Sequence, residues 1–220
     1  MKNRTWYDDF LYPMNYIIGH GLFITRDIIA QIEYFSENTH NEDAVFGLEL
    51  SYRREYICPV PYFDKSSSPD SVNSLFFQKT TWFFGPFQAP VYYKKLKQKI
   101  PKINNRRLGI LSCKMFALAI VWILNPTLMF ILFLNYFFSG GYEFFPACLV
   151  FLVYPNFISY LLTKDHIKIK DLPAFAYIIV GSFIAYTMHG MSAYYSILQS
   201  IKALLFKKEV NKYKTKIIGA

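Results

Sequence analysis

The side chains best suited to chemistry are two carboxylates, a histidine and an amide on consecutive predicted elements. Glu42 and Asp43 are adjacent acids at the start of a predicted helix, His20 stands between two glycines, and Gln78 comes one helical turn before Trp82. Such groups can exchange protons with a substrate or hydrogen-bond to it. Each also has a structural explanation, because acids complement a helix N-terminus and a Gln–aromatic pair at this spacing usually packs. Taken alone, these residues are weak evidence of catalysis.

Five predicted elements would position these side chains. The strand segments are short runs rich in β-branched and aromatic residues, and the long central helix has Asn41 as its N-cap and an apolar face. In chain order the elements are a strand at 16–25, a helix at 26–32, a helix at 42–53, a strand at 56–63 and a helix from 69–71 to about 84. They predict about half of an α/β domain, which is too small to bury a good core alone.

Charge divides the chain into two parts. Residues 1–92 carry seven Lys and Arg against eleven Asp and Glu, whereas residues 93–220 carry seventeen against four. The basic part also holds the long apolar runs, so its charge is better explained by a membrane than by nucleic acid. With 53% hydrophobic residues, the composition excludes a simple cytosolic enzyme. The three scattered cysteines suit neither a disulfide framework nor a zinc cluster.

Three uncharged segments predict the membrane region. Residues 115–138 and 144–163 are each long enough to cross a hydrocarbon core of about 30 Å, and the five residues between them predict a tight turn. Residues 172–201 are too long for one straight span and short for two. The first fifteen residues have no apolar core typical of a signal peptide. The sequence therefore predicts a multi-pass cell-membrane protein with its soluble part in the cytoplasm.

Lys and Arg in the connecting loops suggest the number of crossings. Residues 94–114, the loop at 163–171 and the tail at 202–216 are all basic, so all three favour the cytoplasmic side. This requires an even number of crossings, and four are predicted, with a hairpin near His189-Gly190. The alternative is three crossings followed by a helix in the membrane interface.

The basic segment 94–109 has two possible roles. Its Lys and Arg could face anionic lipid while Leu96, Ile100 and Ile103 enter the membrane interface. It could equally be a solvated linker. The predicted organisation is a soluble half-domain at 1–92, a basic interfacial linker at 93–114, a membrane region at 115–206 and a basic cytoplasmic tail at 207–220.

Three motifs, in this order, resemble those of the family 2 glycosyltransferases. Residues 19–27, GHGLFITRD, resemble the acceptor-side strand, and Asn41-Glu42-Asp43 resembles the Glu-Asp motif that carries the catalytic base. Residues 78–85, QKTTWFFG, resemble the Gln-x-x-Arg-Trp motif, which precedes the membrane helices in relatives of cellulose and hyaluronan synthases. The resemblance is strongest over residues 12–90 and corresponds to the C-terminal half of such an enzyme.

The resemblance implies a partial GT-A-type, Rossmann-like fold followed by a transmembrane bundle, and a role in polysaccharide biosynthesis at the cell envelope. A sugar would pass, with inversion, from a nucleotide-sugar donor to a lipid or glycan acceptor. Asp43 would accept the proton of the attacking hydroxyl, and a divalent metal, Mg²⁺ or Mn²⁺, would offset charge on the departing diphosphate. The substrate-binding residues that it implies are Gly19, His20, Glu42, Gln78 and Trp82.

Two departures from the family pattern matter. Thr81 stands where the family usually has Arg, and Lys79, the neighbouring cation, is expected on another face of the helix. The nucleotide-binding half, with its metal-binding Asp-x-Asp motif, is expected before residue 12, and Asp8-Asp9 is not that motif. The metal ligands are therefore expected to be absent, and the chain alone is not expected to catalyse transfer.

Three interpretations remain open from the sequence. The chain could be the C-terminal part of a truncated membrane glycosyltransferase. It could be one half of a split enzyme whose partner chain supplies the nucleotide-binding half. It could also be a non-catalytic membrane protein, such as a small transporter or an assembly factor, in which Asp43 and Gln78 are structural.

Overall fold

The computed structural model of this chain describes residues 6–15, 17, 22–32, 41–58, 71–100, 102–163 and 172–206, and every regular element in these residues is helical. The helices are α1 (Trp6–Leu11), α2 (Arg26–Ile32), α3 (Glu42–Arg53), α4 (Val72–Phe87), α5 (Ala89–Lys99), α6 (Asn105–Ser139), α7 (Phe144–Cys148), a π-helical segment (Leu149–Val153), α8 (Tyr154–Thr163) and α9 (Leu172–Phe206). The chain divides into two compact units, which are unit 1 (Met1–Ile120 and Leu198–Ala220) and unit 2 (Val121–Ile197).

The predicted helices of the soluble part are confirmed. α2 and α3 have the predicted bounds, and Asn41 occupies the N-cap position of α3. α4 begins after Ser71, whose hydroxyl accepts a hydrogen bond from the main-chain N–H of Ser74 at 3.1 Å. This capping bond satisfies one of the N–H groups that a helix start leaves without an internal partner. Helix starts were therefore well specified by local sequence.

Unit 1 buries two apolar clusters, one on each side of α3. The first joins α3 to α5 and the beginning of α6, and the second joins α3 to α2 and the chain around Ile17. The fully buried members of the first include Leu48, Tyr92, Leu96, Leu108 and Met115. The buried members of the second are Ile17, Ile32, Phe46 and Leu50. Since both faces of α3 are covered, this helix is the centre of unit 1.

The predicted strands are not found among the described residues. Residues 17 and 22–25 of the first, and residues 56–58 of the second, lack strand structure, and the others lie outside the described residues. Ile17 is buried as predicted, but against a helix, because Gly47 of α3 lets the backbone at Asn15 approach closely. A β-branched run predicts burial better than it predicts pairing with another strand. The expectation of an α/β, Rossmann-like half-domain is wrong.

The apolar side chains of the basic segment 94–109 belong to the first buried cluster of unit 1. Leu96 is 1% exposed in the first cluster, and Ile100 and Ile103 pack against that cluster. Lys99 reaches the carboxylate of Glu49 at 3.0 Å, and Glu49 is itself only 2% exposed. The three apolar side chains assigned to lipid in one interpretation therefore face α3 and α6 instead.

α6 contains the predicted first apolar segment. Among the described residues, α6 is the single helix that is long and apolar enough to cross a membrane. Pro126 lies within it without ending it. Many large apolar side chains in its second half are exposed, including Leu124, Leu128, Phe130, Ile131, Phe137 and Phe138. Such a surface is typical of a helix that faces lipid, and it is weak evidence that the protein associates with a membrane.

The rest of unit 2 follows the predicted turn. Gly140 has a left-handed φ of 69°, which suits glycine, and the chain re-enters a helix at Phe144. The segment 144–163 is helical throughout but contains the π-helical turn Leu149–Val153. The apolar segments therefore form helices joined by a tight connection, as predicted.

The predicted hairpin near His189-Gly190 is wrong. α9 is continuous from Leu172 to Phe206 and passes through both residues. Gly190 serves a packing role, since a Cβ added there would lie 2.7 Å from the ring of Pro126. Together with the single candidate span among the described residues, this overturns the predicted bundle of about four membrane helices. The loop at 164–171 and the tail at 207–220 lie outside the described residues.

Candidate functional site

The start of α3 is attached to the middle of α4 through one side chain. Asn41 has extended backbone angles (φ −128°, ψ 90°) and is 8% exposed. Its side-chain amide Nδ2 donates to the main-chain oxygens of Thr81, at 2.9 Å, and Trp82, at 3.3 Å. Although Asn41 occupies the N-cap position, its side chain bonds to another helix. The turn that carries Glu42 and Asp43 is therefore held against α4.

Two residues of α4 make this attachment possible. Pro86 lies four residues after Trp82 and has no N–H, so the ordinary helical hydrogen bond to the carbonyl of Trp82 cannot form. Asn41 supplies a donor to that carbonyl. Gly85 leaves the space, because a Cβ there would lie 2.7 Å from Nδ2 of Asn41. The Gly-Pro pair thus creates both a carbonyl that needs a donor and a gap through which the donor reaches it.

The two acids lie in the first turn of α3. Asp43 is half-buried, and its Oδ1 accepts a hydrogen bond from the main-chain N–H of Ala44 at 2.8 Å. Glu42 is exposed. The partial positive charge of the helix N-terminus favours both carboxylates. Asp43 is therefore oriented by a backbone hydrogen bond, and Glu42 lies at the surface.

α4 brings a cation to the tryptophan of the predicted motif. The indole of Trp82 is 38% exposed, and the Nζ of Lys79 lies 4.4 Å from its ring centroid. Burial lowers the pKa of Lys79 below its usual value. The hydroxyl of Thr81 bonds back to the carbonyl of Phe77 at 3.1 Å, so it uses its hydrogen within α4. A cation near the tryptophan is thus Lys79, which lies one helical turn before Trp82.

α3 is held along its whole length, which fixes the direction of its first turn. Ser51 accepts a hydrogen bond from the main-chain N–H of Asn15 at 2.7 Å and donates to the carbonyl of Gly47 at 2.7 Å. The buried carboxylate of Glu49 accepts from Arg53 at 2.7 Å and from Lys99 at 3.0 Å. These contacts join α3 to the N-terminal segment and to α5.

The structure brings together the elements that carry four of the predicted site residues. Glu42 and Asp43 follow directly after Asn41, and Asn41 contacts the backbone of Trp82, one turn after the half-buried Gln78. Gly19 and His20 lie outside the described residues. Sequence reasoning missed the role of Asn41, although Pro86 four residues beyond Trp82 was a usable signal.

A divalent metal does not fit the described part of this site. Among the described residues, no group of three or more His, Cys, Asp or Glu side chains lies close enough together to hold an ion. Glu42 and Asp43 alone offer two carboxylates.

Comparison with known proteins identifies the family. The family model for glycosyl transferase family group 2 matches residues 5–192, which is most of the chain. The chain belongs to this family. No curated protein and no solved structure matches it significantly. Membership in glycosyl transferase family group 2 supports a glycosyl transfer function, with a nucleotide-sugar donor and an acceptor; enzymes of this family commonly use a divalent metal. The matched range includes α3 and α4, and therefore the whole described site.

Proposed function

We propose that this chain supplies the acceptor side of a membrane-bound, inverting glycosyltransferase. The supporting observation is the pair of hydrogen bonds from Asn41 to α4, which keeps the acidic turn of α3 beside the helix of Gln78 and Trp82. A base and a sugar-binding surface must be held in fixed geometry for transfer to occur. The sugar would pass from a nucleotide-sugar to a hydroxyl of a lipid or polysaccharide acceptor.

Asp43 is the proposed base. Its carboxylate takes the proton of the acceptor hydroxyl as that oxygen bonds to the anomeric carbon from the face opposite the diphosphate. The bond between the anomeric carbon and the diphosphate oxygen breaks, and the electron pair leaves with the nucleotide diphosphate. A base at hydrogen-bonding distance contributes about 10²–10⁴-fold to such a step. The hydrogen bond from the main-chain N–H of Ala44 fixes the orientation of this carboxylate.

The other site residues have binding roles in this proposal. The exposed part of the Trp82 indole would stack on a sugar face, and Gln78 and Glu42 would hydrogen-bond to the substrates. Lys79 would place its positive charge near the leaving diphosphate, in place of the family's usual arginine. Gly19 and His20 remain predicted contacts on the acceptor path. We assign the donor nucleotide and a divalent metal to residues outside the described part of this chain, on the same polypeptide or a partner chain.

α6 is the proposed membrane attachment. Its uncharged stretch follows a basic beginning that includes Arg106, Arg107 and Lys114. An excess of Lys and Arg before a span favours the cytoplasmic side, so unit 1 would act there. Membrane attachment would keep the site close to a lipid-linked or growing glycan acceptor.

The test compares two acids that each lie in the first turn of a helix. Asp43→Asn removes the proposed base, whereas Asp27→Asn changes an exposed acid in the first turn of α2. Each full-length variant is produced in its native cells, so that any partner chain is present. Transfer of radiolabelled sugar from a panel of nucleotide-sugars is then measured in the isolated membranes. We expect Asp43→Asn to lose transfer while keeping donor binding, and Asp27→Asn to retain both.

Two other outcomes would contradict the proposal. Retained transfer in Asp43→Asn would exclude Asp43 as the base. If deletion of the chain leaves transfer in the membranes unchanged for every donor, the chain has no catalytic role, and the non-catalytic interpretation is favoured.

A further inference from the structure

α1 exposes four large apolar side chains. Trp6, Tyr7, Phe10 and Leu11 are 46%, 68%, 45% and 75% exposed, while Asp9 in the same helix is 3% exposed. The rings of Trp6 and Phe10 stack with centroids 4.8 Å apart. α1 therefore buries one of its two acids, Asp9, whereas Asp8 and the large apolar side chains are exposed.

Arginines from two elements hold Asp9 in place. Its Oδ1 lies 3.1 Å from Nη2 of Arg54, just after α3, and its Oδ2 lies 3.1 Å from Nη2 of Arg106 in the first turn of α6. Arg107 approaches the same carboxylate at 4.0 Å. Three guanidinium groups around one carboxylate leave an excess of positive charge, and the side chain of Arg106 is 50% exposed. The buried contact thus fixes α1 beside the beginning of α6 and leaves the side chain of Arg106 half-exposed at the surface.

Contacts with Lys114 fix the position of α1 along the axis of α6. The Nζ of Lys114 donates to the main-chain oxygen of Tyr12 at 2.8 Å and lies 5.2 Å from the ring centroid of Phe10. Lys114 is the last charged residue before the uncharged stretch 115–138. The aromatic face of α1 therefore lies level with the point where the apolar part of α6 begins.

We propose that α1 is a membrane anchor that lies in the headgroup region of the cytoplasmic leaflet, with its exposed aromatic face in the lipid. This rests on the proposed membrane location of α6, whose exposed large apolar side chains begin at Leu118, one turn after the Lys114 that contacts Phe10. Trp and Tyr are favoured at this depth, because their rings are apolar but carry a hydrogen-bonding group. The half-exposed side chain of Arg106 complements anionic headgroups. The occupant is thus a bilayer that contains anionic lipid.

The anchor would act on the site through α3. Arg54 directly follows the last residue of α3, and Arg107 donates to the carbonyl of Ser51 in the last turn of that helix at 2.8 Å. α1, the end of α3 and the start of α6 therefore share one set of ion pairs and hydrogen bonds. Insertion of α1 would fix the orientation of α3, and with it the acidic turn, relative to the membrane surface.

Tryptophan fluorescence separates the anchor from the membrane location on which it rests. The chain has three tryptophans, Trp6, Trp82 and Trp122. A W82F/W122F protein retains Trp6 in α1, and a W6F/W82F protein retains Trp122 in the uncharged part of α6. Each full-length protein is reconstituted into vesicles of phosphatidylcholine and phosphatidylglycerol, with bromine placed on the acyl chains either near the glycerol or near the chain ends.

We expect Trp6 to lose most of its fluorescence with the shallow bromines and much less with the deep ones. Trp122 lies eight residues beyond Lys114, about 12 Å along the helix, and should be quenched more by the deep bromines. Unquenched Trp6 with quenched Trp122 would overturn the anchor, leave the membrane location intact and indicate a protein partner on this face. If neither tryptophan is quenched, the membrane location itself is wrong.

Discussion

The side-chain amide of Asn41 lies 3.3 Å from the main-chain oxygen of Trp82, a carbonyl that Pro86 leaves without its helical donor. The same amide donates to Thr81 at 2.9 Å. Asn41 thus completes the hydrogen bonding of α4 and at the same time holds the turn that contains Glu42 and Asp43. The acids and the tryptophan are therefore linked by one side chain, that of Asn41, which is 8% exposed and bonded to two carbonyls of α4.

Replacement of Asn41 should weaken both the fold and the proposed activity. Asn41→Ala removes the donor from the carbonyl of Trp82, and loss of such a part-buried hydrogen bond costs about 1 kcal/mol. Asn41→Asp should be worse than Asn41→Ala, because a carboxylate would face two carbonyl oxygens. Thermal unfolding in detergent measures the order. Asn73→Ala, at an exposed position early in α4, is the control and should change little; equal melting temperatures for all three variants would refute the role of Asn41.

Gly85 is the second test of the same attachment. In Gly85→Ala, the new Cβ would lie 2.7 Å from Nδ2 of Asn41, so the side chain must move and its hydrogen bonds to α4 must lengthen. We expect a lower melting temperature and reduced sugar transfer in native membranes. Gly109→Ala is the matched control, since a Cβ there meets nothing within 4 Å. Because Ala is favoured over Gly in helices by up to about 1 kcal/mol, Gly109→Ala should be neutral or stabilising. Stabilisation by both substitutions would contradict the close approach.

Lys79 should make stability depend on alkaline pH. Burial lowers the pKa of Lys79 in the folded protein, so the unfolded chain holds its proton at pH values where the folded chain has released it. At neutral pH the buried charge of Lys79 lowers the free energy of unfolding. This penalty becomes smaller as pH rises through the folded pKa toward the usual 10.5, so stability increases there. Lys79→Met should raise the melting temperature at neutral pH, and its advantage should shrink as pH rises. An advantage that stays constant with pH would contradict a charge penalty.

Unit 2 offers a test at Gly190. A Cβ in Gly190→Ala would lie 2.7 Å from two ring atoms of Pro126, which cannot rotate away, so α6 and α9 must separate locally. One turn earlier on α6, the ring of Trp122 stacks on His189 with centroids 3.8 Å apart. We expect a lower melting temperature and a changed Trp122 emission spectrum. Gly181→Ala, in open space on the same helix, should leave both unchanged; the same shift in both variants would indicate a general effect of alanine.

Local signals predicted the helices and failed where distant segments decide. α2, α3 and the start of α4 followed from apolar periodicity and from caps, both of which act within a few residues. The β-branched run at 16–25 was correctly predicted to be buried at Ile17, but what it packs against depends on Gly47, thirty residues further along. Composition therefore indicated the burial of Ile17 but not its packing partner, and it failed at Phe23, which is 83% exposed.

The candidate site shows the same division. The motifs at 41–43 and 78–85 placed the acids and the tryptophan on the correct helices, and the family match agrees with the family that they suggested. The contact that joins the two motifs was missed, because Asn41 had a sufficient local role as an N-cap. The hairpin near His189-Gly190 was predicted from the charges of the connecting loops and is wrong, because in α9 Gly190 permits a close contact with Pro126.

Unit 1 is assembled from two distant stretches of sequence, since Leu198–Ala220 belongs with Met1–Ile120 and all of Val121–Ile197 lies between them. Such long-range closure is slow, and synthesis delivers the N-terminal stretch first. Unit 1 therefore remains incomplete until the apolar helices of unit 2 have been synthesised. A premature stop codon after α8 would consequently damage not only the apolar region but also unit 1, most of which is translated before that codon.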